Sequence, residues 1–142
     1  MVEVAHEVTA ELISAFERLL PQLSRSASPL NEESLARIVG HDANTILVAR
    51  AEGGTIVGTL TLVMVPIPSG LRARIEDVVV DNATRGQGVG SALTEAAIAA
   101  ARAAGARTLD LTSRPDRDSA GRLYERLGFR QRDSRLYRHA DA

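Results

Sequence analysis

The chain of 142 residues contains no cysteine, no lysine and no tryptophan, and its aromatics amount to two Phe and two Tyr. Without cysteine there is no disulfide scaffold, no thiolate metal site and no cysteine nucleophile, and a reducing compartment fits. His6, His41 and His139 are too scattered for a histidine centre, so no metal is expected. All 17 basic residues are arginine, so the chain cannot modify a lysine of its own. No apolar run approaches the roughly 20 residues that span a bilayer. Residues 1–7 carry Glu3 and Glu7 where a secretory leader carries positive charge. The expectation is a cytoplasmic protein with no membrane contact. Aromatics at 3% leave few stacking platforms, and acids are interleaved with the arginines, so no nucleic-acid partner is expected.

What is present is ordinary: 44% hydrophobic and 25% charged residues, which suit one globular domain over residues 1–142. A chain this long buries about two-thirds of its unfolded surface and needs no staple. The formal charge of −1 is unevenly spread, with 4 Arg against 8 acids in residues 1–71 and 13 Arg against 10 in residues 72–142. The second half is the one that suits an anion.

Alternation of Val2 and Val4 with Glu3 and Ala5 predicts a short first strand. Val8, Leu12, Ile13, Phe16, Leu19 and Leu20 then recur at helical spacing, and the stretch 21–29, rich in Pro and Ser, reads as a loop. Asn31 is an N-cap for a second helix carrying Leu35 and Ile38, stopped by Gly40. Strands are predicted over 46–51, 55–65 and 74–80, with turns at Glu52, Gly53 and Gly54 and over 66–70, as an antiparallel meander. A helix over 89–104 with Leu93, Ala97 and Ala100 on one stripe ends at Gly105, and a strand over 107–112 follows. A helix over 116–127 stops at Gly128, and Phe129 with Leu136 and Tyr137 marks a terminal hairpin. The order is mixed α/β: a mostly antiparallel sheet flanked by helices.

The most informative segment runs from a strand through Arg85, Gly86, Gln87, Gly88, Val89, Gly90 and Ser91 into a helix. Three glycines at alternate positions let the backbone turn sharply and approach a ligand. The first helical N–H groups then point outward with the positive end of the helix dipole behind them, which makes a cradle for pyrophosphate. A Walker loop is excluded because it needs a lysine. A dinucleotide fingerprint is disfavoured, since Ser91 stands where its third glycine would be and the βαβαβ halves are missing, although Asp110 suits a ribose.

Arg85, Gly88 and Gly90 resemble the Gln/Arg-x-x-Gly-x-Gly/Ala signature of the GNAT superfamily of N-acetyltransferases. Ala120, Leu123, Tyr124, Glu125, Leu127, Gly128 and Phe129 look like that family's Ala-x-x-Leu-Tyr-x-x-x-Gly-Phe helix ending. The two motifs lie about 35 residues apart, in the family's order and on its elements. The resemblance implies the GNAT fold, with a parallel strand pair splayed within the sheet, and acetyl-CoA as co-substrate. It places the pyrophosphate on residues 85–91 and the pantetheine arm along Val78, Val79 and Val80. The splay between that strand and the next admits the thioester, and a main-chain N–H at Val78 or Val79 polarises the acetyl carbonyl.

Tyr124 then falls on the family's tyrosine, which protonates the leaving thiolate. A phenol with a pKa of about 10 suits a thiolate with a free pKa near 8.5. Glu76, beside Asp77, is the candidate base for the amine: the two acids interrupt the apolar run 75–80 on opposite faces, at a desolvation cost unless one serves chemistry or meets an arginine. That strand also looks like its counterpart in glucosamine-phosphate N-acetyltransferases. One departure is Arg117, seven residues before the tyrosine, where many members carry Asn; Arg114 lies close by. Absence of cysteine favours direct transfer in a ternary complex over an acyl-enzyme. The resemblance implies an acceptor that is a primary amine on a small molecule or peptide. A homodimer through strand edges is open to a chain of this family, with nothing in the sequence specifying it. A non-catalytic acyl-CoA-binding module is the alternative, and the presence of Tyr124 argues against it.

Overall fold

Alternating and continuous apolar runs produce five strands in the order of the chain: β1 (Val2–Ala5), β2 (Asn44–Arg50), β3 (Ile56–Ile67), β4 (Gly70–Val80) and β5 (Thr108–Asp110). In this computed structural model, residues 1–113 and 118–141 are described, in two compact units, Met1–Thr112 and Ser113–Ala142. The first unit holds the sheet. β1 to β4 pair antiparallel with their neighbours, and β5 pairs parallel with β4. β2 over residues 46–49 and β3 over residues 56–60 are buried on both faces.

The connection between β3 and β4 departs from the sequence expectation at both ends. β3 runs on through Pro66, and a turn of Pro68 and Ser69 alone joins it to β4, which begins at Gly70. Met64 N–H donates to Ala43 O, so residue 66 turns the same way, onto an edge where β2 has ended. A proline there forfeits no ladder bond. β4 starts early because Leu71, Ala73 and Ile75 alternate with Arg72 and Arg74, whose aliphatic stems suit the open face.

α1 (Ala10–Leu23) and α2 (Glu32–Val39) cover one face of the sheet. Thr9 caps α1 by accepting from Leu12 N–H, and Asn31 caps α2 by accepting from Ser34 N–H. Leu12, Ala15, Leu19 and Leu35 pack with Ile46, Val48, Ile56 and Val79 into one core. Each fully buried leucine stabilises by about 1.5–3 kcal/mol. α1 passes Pro21, expected to begin a loop: the ring forfeits its own donor near the helix end, while the buried face through Leu19 anchors the helix and Ser24 N–H still bonds Leu20 O at 2.9 Å.

α3 (Val89–Ala103) covers the other face with Leu93, Ala97 and Ala101, one residue on from the expected Ala100. It lies very close to the sheet at Gly58. A Cβ there would stand 2.8 Å from Val89 Cγ1 and 3.0 Å from Leu93 Cδ1.

Arg50 joins three elements: Nη1 and Nη2 bond the Glu11 carboxylate at 2.8 Å each, Nε bonds Glu3, and Nη1 also donates to Gly54 O at 2.8 Å. These bonds hold the Glu11 carboxyl below its ordinary range and the Arg50 guanidinium above its own.

In the second unit α4 (Asp118–Arg126) ends in a Schellman motif: Gly128 takes φ +97°, its N–H bonds Glu125 O at 3.1 Å, and Phe129 N–H returns to Tyr124 O at 3.0 Å. The expected start of this helix at Asp116, and Arg114 and Arg117 with it, lie outside the described residues. The expected terminal hairpin does not form among the described residues. Leu136 and Tyr137 are consecutive, so a strand would turn them to opposite faces and neither face would gain an apolar stripe among the arginines.

Two outcomes are expected. Gly58→Ala pushes on Val89 and lowers stability by about 1–3 kcal/mol, read from the urea midpoint. A Tm difference between wild type and Glu11→Gln is present at neutral pH. Because the folded pKa of Glu11 is depressed, that difference shrinks as pH falls through the carboxylate range and Glu11 protonates, which thermal scans from pH 7 to pH 3 check.

Candidate functional site

The parallel ladder between β4 and β5 ends at Arg74 and Asp110, yet β4 continues to Val80. Residues 75–80 therefore have no β-partner on that side among the described residues, and the strand pair opens where β5 stops.

A β-bulge lies in the same stretch. Thr59 pairs with Val79 and Thr61 with Glu76, so Leu60 faces two residues, Asp77 and Val78. Asp77 has φ +49°, the one non-glycine in the left-handed region among the described residues. Asp is among the side chains that tolerate it. The extra residue reverses the alternation of β4. Before it, Leu71 O turns to β5 and accepts from Arg107 N–H; after it, Asp81 N–H bonds Val57 O on the β3 side at 2.8 Å. Counting back by alternation, Val79 N–H faces β3, while Val78 and Val80 N–H face the opened side.

Glu76 and Asp77 are both exposed at the bulge, so neither acid bears the desolvation cost that burial in an apolar strand would impose. Arg74 Nε lies 3.9 Å from Glu76 Oε2, with the Glu76 side chain 50% exposed. Solvent screens such a pair strongly.

β4 leads through Asp81 and a 3₁₀ turn (Asn82–Thr84) into the glycine turn. Gly86 and Gly88 take φ +83° and +80°, and a Cβ on either would meet nothing within 4 Å. Their side of the turn is open space. Gly88 is the N-cap of α3 and makes no side-chain cap; the first helical bond runs from Ala92 N–H to Gly88 O. The N–H groups of Val89, Gly90 and Ser91 are thus left outward at the positive helix end, and exposed Arg85 makes no ion pair among the described residues. That is the donor set an anionic diphosphate needs. Gln87, Gly88 and Val89 also border a cleft of about 220 Å³ towards Met1 and Arg50. Arg50 is spent on Glu3, Glu11 and Gly54 O, so it is not an anion ligand. Among the described residues no group of three or more acids or histidines stands ready to hold a metal.

In the second unit Tyr124 is partly buried, and its ring meets Phe129 edge to face at 5.8 Å and 67°. The left-handed Gly128 folds Phe129 back onto the last turn, so the Gly-Phe pair sets the orientation of the tyrosine ring.

The structure joins residues 76–91 into one continuous stretch of the first unit. Sequence reasoning passed over Gly58 and read Asp77 only as the acid beside Glu76, not as a left-handed bulge residue. A glycine inside a strand pattern signals close backbone approach, so Gly58 was findable. The bulge at Asp77 depends on register with β3, which no local pattern records.

The acetyltransferase (GNAT) family matches residues 7–129 of the chain. Among solved structures, an acetyltransferase of Trypanosoma brucei is 30% identical with a TM-score of 0.79, over 98% of each chain. A transcriptional regulator of Bacillus halodurans C-125 is 30% identical with a TM-score of 0.78, over 98% of this chain and 99% of that one. Glucosamine-6-phosphate N-acetyltransferase of Arabidopsis thaliana shares the fold at 23% identity and a TM-score of 0.80, over 99% of each chain. No curated protein matches the chain at a significant level. With a family match across both motifs and a fold shared nearly end to end, the chain belongs to the GNAT acetyltransferase family.

Proposed function

We propose that the chain, acting as one domain over residues 1–142, transfers an acetyl group from acetyl-CoA to a primary amine by direct attack. The supporting observation is the run from an opened strand edge into an uncapped helix start with two left-handed glycines. Residues 85–91 bind the pyrophosphate through backbone N–H groups, and Val78, Val79 and Val80 carry the pantetheine arm as an added strand. Of the two N–H groups considered for the oxyanion, Val78 is the better donor, because Val79 N–H is turned to β3.

The amine nitrogen attacks the thioester carbonyl carbon, and negative charge builds on oxygen opposite the Val78 N–H. The C–S bond then breaks, and the Tyr124 hydroxyl gives its proton to sulfur. Glu76, directly or through one water, takes the proton of the amine. Its exposure suits a base that exchanges protons with water. No covalent acyl-enzyme is needed, in keeping with a chain that has no cysteine.

A CoA-release assay across a panel of small-molecule and peptide amines tests the reading. Tyr124→Phe keeps the ring contact with Phe129 and lowers turnover by about 10²-fold or more. Glu76→Gln lowers it by about 10²-fold with acetyl-CoA affinity retained, and removes or moves the rising limb of the kcat/KM profile against pH. An unchanged rising limb assigns deprotonation to bulk water. A protein that binds acetyl-CoA and never releases CoA faster than buffer is a binding module instead.

Gly88→Val directs a branched side chain into the open side of the turn at a strained φ. It lowers acetyl-CoA affinity by about tenfold or more while the protein stays folded. Calorimetry showing wild-type affinity in a folded Gly88→Val protein removes the cradle assignment.

A further inference from the structure

The segment that enters the glycine turn is gripped from outside the sheet. α1 presents Arg18 and Gln22, four residues apart and so on one helix face, towards residues 81–82. Arg18 Nη2 donates to Ile56 O at 2.5 Å, and its Nε lies 3.7 Å from Asp81 Oδ2. Gln22 Oε1 accepts Asn82 N–H at 2.8 Å, and its Nε2 donates to Arg18 O at 3.2 Å. Asp81 is itself held by four further bonds: its N–H reaches Val57 O at 2.8 Å, its Oδ1 accepts Ala83 N–H at 3.1 Å, capping the 3₁₀ turn, and its carbonyl accepts Thr84 N–H at 2.9 Å and Thr84 Oγ1–H at 3.0 Å.

These contacts are not what seats the helix. Leu12, Ala15 and Leu19, each at most 3% exposed, already anchor α1 in the core. The polar ends of Arg18 and Gln22 are spent on Ile56 O and on the root of the turn, four or five residues before Gly86. Gln22 reaches that root because α1 continues past Pro21. A turn that depends on Gly86 and Gly88 has many conformations to lose on binding an anion, so fixing its root lowers the ordering cost.

We infer that Arg18 and Gln22 are positioning residues for the anion cradle, setting the affinity for acetyl-CoA without touching it. The inference rests on the reading of residues 85–91 as the pyrophosphate site. Neither residue belongs to the glycine motif, and 60 residues separate Gln22 from Asn82.

Titration calorimetry with acetyl-CoA alone tests this without knowledge of the amine. Gln22→Met keeps the side-chain length and Arg18→Met keeps the aliphatic stem; both keep helix propensity, lose the polar ends, and each raise Kd by about three- to tenfold. Gln22→Glu keeps an acceptor for Asn82 N–H, and Arg18→Lys keeps a cation facing Asp81. Both recover most of the affinity. All four variants melt within a few degrees of wild type. Unchanged Kd in both Met variants overturns the inference while leaving the cradle standing. So does a loss that follows Tm and is not recovered by Gln22→Glu or Arg18→Lys. A wild-type protein that does not bind acetyl-CoA overturns the cradle reading, and the inference falls with it.

Discussion

The bulge on β4 is the constraint on which the first unit depends. One extra residue opposite Leu60 reverses the strand's alternation. Ala73 and Ile75 therefore belong to the α3 face, whereas Val79 joins the core under α1 and α2. The same reversal turns the N–H groups of Val78 and Val80 towards the side that β5 has left. A regular strand would keep residues 73, 75, 77 and 79 on one face and bury Asp77 with them. The left-handed conformation of Asp77 costs about 1–2 kcal/mol, and the division of β4 between the two faces of the sheet stands on it.

Around that strand the glycines divide their tasks by conformation and by contact. Gly58 needs only the absence of a side chain, since α3 approaches it closer than a Cβ allows. Gly86 and Gly88 need the left-handed φ, and the space beside them stays empty of protein. Gly128 needs the same φ for a different end, bringing Phe129 back against Tyr124. Local backbone geometry thus orients both the glycine turn and the tyrosine, each within its own unit.

Much of this was legible in advance. The caps at Asn31 and Gly40, the glycine stop at Gly105 and the antiparallel meander followed from residue chemistry acting over a few positions. The glycine turn was legible because its glycines are spaced for a purpose that packing alone does not require. Errors came where a local signal met a tertiary circumstance. Pro21 reads as a breaker but lies where only one donor is lost. Pro66 reads as a turn but sits on an edge that β2 has vacated.

By itself the sequence determined the order of the elements as far as the tyrosine helix, the caps of α2, the glycine stops of α3 and α4 and the residues of the glycine turn, because caps, left-handed glycines and apolar periodicity act within a turn or two of chain. Only the tertiary structure decided the register of β3 against β4, and with it the bulge, the side each Val78–Val80 amide faces and the exposure of Glu76. It also brought Gln22 to Asn82 across 60 residues. Those outcomes depend on which residues stand opposite one another in the sheet. A one-residue shift in that pairing moves every side chain to the other face, and no local pattern can register it.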